Sequence, residues 1–206
     1  MDLSDKGILL VISGPAGTGK GTVVSNILAR SDDFALSVSA TTRAPRKGEV
    51  DGVQYHFVSR AQFEQKIEDG QMLEYAEYVG NYYGTPRERV MDMIDRGINV
   101  ILEIEVVGAM KIKKLVPDAV SVLLLPPDYK TLEERLRGRG TNTEEDIQNR
   151  LLQAKKEVGN FASYDYIVIN EDGASDEAAL RIISIVDAER HRTSRNLHIP
   201  ADFLAD

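Results

Sequence analysis

No cysteine occurs anywhere in the 206 residues. Disulfides, thiolate metal sites and cysteine nucleophiles are excluded together, and a reducing compartment fits. Histidine is scarce: His56, His191 and His198 are the only three. They are too scattered to suggest a metal site and read as structural. No apolar run approaches the roughly 18–20 residues that span a bilayer. The longest, near Ile8–Ile12, reads as a buried strand. Met1 to Lys6 shows no basic head followed by an apolar stretch, so no signal peptide is expected and the cytoplasm is the expected location. Positive charge is in deficit, with 25 Lys and Arg against 33 Asp and Glu, a formal charge of −8. Proteins that coat nucleic acid are usually basic, which disfavours a polymer-binding role. A small anionic substrate needs positive charge only locally. Internal repeats, low-complexity tracts and domain linkers are absent too.

What is present is ordinary for a globular chain: 42% apolar and 28% charged residues. The length suits a single domain, residues 1–206, with insertions around one core. Ile8 to Ile12, Asn99 to Ile104, Ala119 to Leu125 and Tyr166 to Ile169 are short apolar runs of buried-strand type. Amphipathic stretches lie between and after them: Lys20–Arg30, Arg87–Arg96, Val107–Leu115, Tyr129–Arg137, Glu144–Val158 and Asp176–Arg192. Strands alternating with helices predict an α/β fold with a parallel sheet covered on both faces.

Two regions break this rhythm. Residues 36–85 are rich in Ser, Thr, Tyr and Gly and show period-2 stretches such as Val53 to Phe57. They predict a small, mostly β insertion with one helix near Arg60–Asp69. Residues 129–156 are rich in Lys and Arg and carry a helix break at Gly138–Thr141. Thr143, followed by Glu144, Glu145 and Asp146, starts a new helix with a good N-terminal signature. This segment reads as a helical lid. The core is then expected over about 7–35, 86–128 and 157–192.

Gly14-Pro15-Ala16-Gly17-Thr18-Gly19-Lys20 lies where a strand hands over to a helix. This is the G-x-x-x-x-G-K phosphate-binding loop in its proper context. The glycines let successive N–H groups face a common centre, and the helix start adds positive potential. Lys20 brings a mobile cation for the outer phosphates. Gly21 stands where the strict pattern has Ser or Thr to hold Mg²⁺, and Thr22 follows it. Alone, the loop says only that a nucleotide binds.

Arg43 and Arg46 flank Pro45 in a turn that suits a phosphate dianion, since two guanidinium forks converge there. Tyr55 and Tyr83 offer hydroxyls to the same oxygens. At these residues the chain resembles the guanylate kinases. Their S-x-T-T-R-x-P-R-x-G-E…Y-x-F signature is present from Ser39 to Phe57. Further family blocks are Gly70 to Ala76, Asn81 to Thr85 and the R-G-R-G-T segment Arg137 to Thr141. The resemblance covers about residues 7–190.

The resemblance implies a P-loop NTPase core and transfer of the terminal phosphoryl of ATP to GMP and dGMP, with Mg²⁺. It implies that residues 14 to 22, among them Gly14, Pro15, Ala16, Gly17, Thr18, Gly19, Lys20, Gly21 and Thr22, bind ATP. Thr22 would be the protein's metal contact. Arg43, Arg46, Tyr55 and Tyr83 would hold the GMP phosphate, in a site that includes Glu49. Ser39, Glu74, Thr85 and Glu103 would read guanine, and Lys20, Arg43, Arg139 and Arg150 would be catalytic. Chemistry agrees for Glu74: a carboxylate accepts from guanine N1–H and N2–H, whereas adenine would leave it unpaired, at a cost on the order of 10⁴ in selectivity. Glu103 stands where some members carry Asp, and Val107 where many carry Gln. The partners expected are GMP and ATP, with no nucleic-acid polymer or membrane and with monomer and homodimer both open. The competing readings are another nucleoside monophosphate kinase, which would lack the Thr-Thr-Arg-x-Pro-Arg turn, and a silent phosphopeptide-binding module, which typically loses the phosphate loop.

Overall fold

The computed structural model describes residues 3–138 and 143–205. Its centre is a parallel sheet of five strands: β1 (Leu9–Ser13), β2 (Phe34–Leu36), β7 (Asn99–Glu103), β8 (Val120–Leu125) and β9 (Tyr166–Ile169). They are ordered β2-β7-β1-β8-β9. Three of the short apolar runs form the inner strands β7, β1 and β8, largely buried on both faces, and the fourth forms the edge strand β9. Leu10 and Ile12 of β1 point to one side and Leu9 and Val11 to the other. On the first side pack Val23, Val24 and Ile27 of α1 (Lys20–Arg30) with Ala178, Ile182 and Val186 of α7 (Ser175–Arg190). On the second pack Val90 of α3 (Arg87–Asp95) and Ala109 and Ile112 of α4 (Val106–Leu115). Helix, sheet and helix make three layers.

The fifth strand, β2, corrects the four-strand expectation. It pairs in parallel with β7 through Phe34 to Leu36. Three residues are too few to show any period.

The insertion forms a second sheet, ordered β4-β3-β6-β5, from β3 (Ala40–Thr41), β4 (His56–Phe57), β5 (Met72–Tyr78) and β6 (Asn81–Pro86). One helix, α2 (Arg60–Glu68), closes it, with Ser59 and Gln62 in a reciprocal capping box. Phe63, fully buried, stacks on Tyr82 at 5.2 Å, so Tyr82 serves packing. The expected alternation over Val53 to Phe57 is corrected: only His56 and Phe57 are strand. The Asp51 carboxylate accepts from Phe57 N (2.8 Å) and Gly52 N donates to the Tyr55 carbonyl (2.8 Å), which turns the chain instead.

The lid is a helix pair, α5 (Tyr129–Gly138) and α6 (Glu144–Val158). It has its own core of Leu132, Leu136, Ile147, Leu151 and Ala154. Thr143 caps α6 through a capping box with Asp146. The expected helix to Arg192 instead stops at Arg190. A short 3₁₀ turn (Thr193–Arg195) and α8 (Ile199–Phe203) follow. Asn196 is buried, donating to the carbonyls of Arg190 (2.8 Å) and Arg192 (2.9 Å). No helix among the described residues is long and apolar enough to cross a membrane.

Candidate active site

The phosphate loop runs from the carboxyl end of β1 to the amino end of α1, where ligands gather in open parallel sheets. Gly14 sits at φ 149°, and a Cβ there would lie 2.2 Å from the Leu124 carbonyl oxygen. Gly19, the N-cap of α1, is left-handed at φ 88°. Lys20 Nζ donates to the carbonyls of Gly14 (2.5 Å) and Pro15 (3.1 Å), so the ammonium lies over the loop. Two side chains brace the loop from outside. Asn170, just past β9, donates from Nδ2 to the Thr18 carbonyl at 2.8 Å. Arg135 of α5 reaches the Asn170 carbonyl at 2.8 Å and pairs with Asp172 at 2.7 Å.

A cavity of about 640 Å³ opens over this loop, lined by Gly14, Ala16 and Lys20 below and by Asn149, Arg150 and Gln153 of the lid above. A second, of about 420 Å³, lies against the insertion and includes Ser39, Tyr55, Glu74 and Tyr83 in its wall. The two share Tyr78 at the end of β5 and Glu103, Ile104 and Glu105 at the exit of β7. They are two halves of one cleft.

In the second half, β5 and β6 pair so that Glu74 faces Thr85. The Thr85 hydroxyl donates to Glu74 Oε1 at 2.8 Å. Burial pushes the Glu74 carboxyl above its ordinary range, against the pull of Thr85 and of the Lys111 charge. At the rim, Arg43 makes a two-pronged pair with Glu49, Nη1 to Oε2 at 3.0 Å and Nη2 to Oε1 at 2.9 Å. Glu49 also accepts from Arg46 N at 2.7 Å, which closes the turn. The Arg43 guanidinium lies 5.5 Å from the Tyr55 ring centre, and Tyr55 meets Tyr83 edge-on at 5.8 Å.

A family model described as guanylate kinase matches residues 6–189. The chain belongs to the guanylate kinase family. It is 53% identical over 194 residues to a guanylate kinase of Streptococcus thermophilus, covering 94% of this chain and 92% of that protein. It is 52% identical to one from Streptococcus agalactiae, with the same coverage. The crystal structure of guanylate kinase from Anaplasma phagocytophilum superposes with a TM-score of 0.75 at 34% identity, covering 97% and 95% of the two chains.

Among guanylate kinase residues expected from sequence, the structure brings Ser39, Tyr55, Glu74, Tyr83 and Glu103 around one half of the cleft and Lys20 and Arg150 around the other. Arg46 and Thr22 are exposed. Arg139 lies outside the described residues. Arg137, close by in sequence, is tied to Glu133 and Glu144 within the lid. Two of the expected residues bond to other expected residues. Thr85 spends its hydroxyl on Glu74, and Glu49, a carboxylate that would repel a phosphate, holds Arg43. Glu103 lies against the loop: a Cβ on Gly21 would be 3.9 Å from each of its carboxylate oxygens. Lys20 draws its carboxyl down while burial, the stronger influence, pushes it up. Sequence reasoning missed Glu105, the N-cap of α4 in the shared wall, and Asn170 behind the loop. An acidic residue where β7 hands over to α4, beside Glu103, was the available signal for Glu105. Asn170 carried none.

Proposed function

We propose that the two halves of the cleft take the two substrates of a phosphoryl transfer from ATP to GMP or dGMP. The observation that carries this is their junction at Glu103 to Glu105, which lets two nucleotides meet end to end above β7 and β1. The loop from Gly14 to Thr22 would wrap the ATP phosphates with backbone N–H groups, with Lys20 on the outer oxygens. Arg43, Arg46, Tyr55 and Tyr83 would grip the GMP phosphate, with Glu49 keeping Arg43 extended in its turn. Glu74 would accept from guanine N1–H and N2–H while Thr85 fixes its other lone pairs, and Ser39 would donate to O6. The attacking group is already an ionised phosphate oxygen, so no strong general base is needed. Arg150, with Arg139, would spread positive charge over the group in flight. Closing the lid would exclude water, which otherwise accepts the phosphoryl group.

Oxygen donors suit Mg²⁺, and Glu103 beside Lys20 and Gly21 provides them where the usual hydroxyl is missing. Glu103, with Thr22, would hold the ion, whose role is to neutralise charge on the phosphates. A coupled ADP-release assay with ATP and Mg²⁺, offering GMP, AMP, CMP and UMP, tests the reading. Turnover with GMP alone, lost in Lys20→Ala, is expected. No turnover with any acceptor by folded protein would sink it.

A further inference from the structure

The wall of the base-binding half is shared between two bodies. Glu74 belongs to the insertion, on β5, whereas the facing wall is α4 of the core. Lys111, on that helix, reaches across. Its Nζ donates to the carbonyl of Tyr75, the residue after Glu74, at 3.2 Å and lies 5.6 Å from the Tyr75 ring centre. One turn earlier Gly108 brings the helix against the carboxylate: a Cβ there would be 3.5 Å from Glu74 Oε2. Oε1 is already engaged by Thr85. We propose that Lys111 is a positioning residue for guanine selectivity: seated on the Tyr75 carbonyl, it supplies the counter-charge of the Glu74 carboxylate.

The surroundings leave this task to Lys111. The other titratable groups of the cavity wall are Tyr55, Tyr75, Tyr78 and Tyr83, Glu77 further along β5, and Glu103 and Glu105 at the β7 exit. All are neutral or negative. Lys111 is the one cation lining the cavity among the described residues. Val107, one turn back on the same helix and in the same wall, contributes no polar group. Burial favours the protonated form of Glu74, and a protonated carboxyl cannot accept from both N1–H and N2–H. Thr85 and then Lys111 oppose that protonation. With Lys111 gone, burial is less opposed, so GMP affinity should fail on the acid side starting from a higher pH.

The inference rests on Glu74 as the guanine reader, and the experiment separates the two. Lys111→Gln, Lys111→Arg and Glu74→Gln are compared with the parent for kcat and KM over about pH 5.5–9, using GMP with saturating ATP. For Lys111→Gln, KM for GMP should rise roughly fivefold over the parent at the acid end and less than about twofold at the alkaline end, with kcat and KM for ATP unchanged. Titration of the GMP phosphate is common to all proteins and cancels in the ratio. Lys111→Arg should restore the parent profile. A rise that is the same at every pH, meaning direct contact with the nucleotide, overturns the proposal, as does no change. Glu74→Gln should raise KM for GMP at every pH. If it leaves KM unchanged, the Glu74 reading itself falls.

Discussion

Replacing Gly19 by Ala tests how tightly the phosphate loop is locked to the strand beyond it. The residue is left-handed at φ 88°, which costs an alanine about 1–2 kcal/mol. The new Cβ would also stand 2.5 Å from Asn170 Nδ2. That nitrogen cannot swing aside without giving up its bond to the Thr18 carbonyl, a buried hydrogen bond whose loss costs about 1–3 kcal/mol. Together these come to roughly 2–5 kcal/mol, or a fall in Tm of about 5–20 °C for a chain of this size. Asn170→Ala alone loses only the bond. In the double variant the collision has no partner, so its destabilisation should fall short of the sum by about 1–3 kcal/mol. Circular-dichroism melts of the four proteins measure the cycle. Strict additivity, or Gly19→Ala melting with the parent, would refute the collision.

Three further outcomes are expected. Glu49→Ala removes both carboxylate oxygens that pair with the Arg43 guanidinium and the closure at Arg46, so KM for GMP should rise about tenfold with kcat within about twofold; a fall in kcat alone would count against a role in ground-state binding. Thr85→Val takes a hydrogen bond from Glu74 and lets burial push its carboxyl further up, so GMP affinity, followed as KM against pH, should begin to fail at a higher pH on acidification and stay near the parent's in alkali. Leu136→Ala opens the five-residue lid core, at a cost of about 2–5 kcal/mol; hydrogen exchange should speed up in α5 and α6 while β1 keeps its protection, and uniform loss would show that the lid is not a separate unit.

The phosphate loop is legible in sequence because its parts are contiguous: an apolar strand, glycines at fixed spacing, a lysine and an amphipathic helix. The layered core is legible for the same reason, each strand being long enough to show its character. What escaped reading depends on neighbours that are distant in sequence. β2 is an edge strand of three residues, defined only by its pairing with β7. The bond between Thr85 and Glu74 depends on the register that sets the two opposite each other, after an irregularity between Met72 and Glu74 that no local pattern announces. The Val53 to Phe57 alternation imitates a strand because side-chain and turn hydrogen bonds, not polarity, decide that segment. Asn170 and Lys111 are single residues whose partners lie 152 and 36 positions away.

Ser4 N donates to Asn196 Oδ1 at 2.9 Å, ahead of β1 and thus at the edge of the parallel sheet away from the phosphate loop. The segment ahead of β1 and the segment that follows α7 are therefore stitched together at the base of the molecule. A short peptide joining them would let the polypeptide be reopened elsewhere, for instance at the exposed Val79 in the β5–β6 hairpin. Anchored to a support through either segment, the enzyme would stand with both cavities facing the solution.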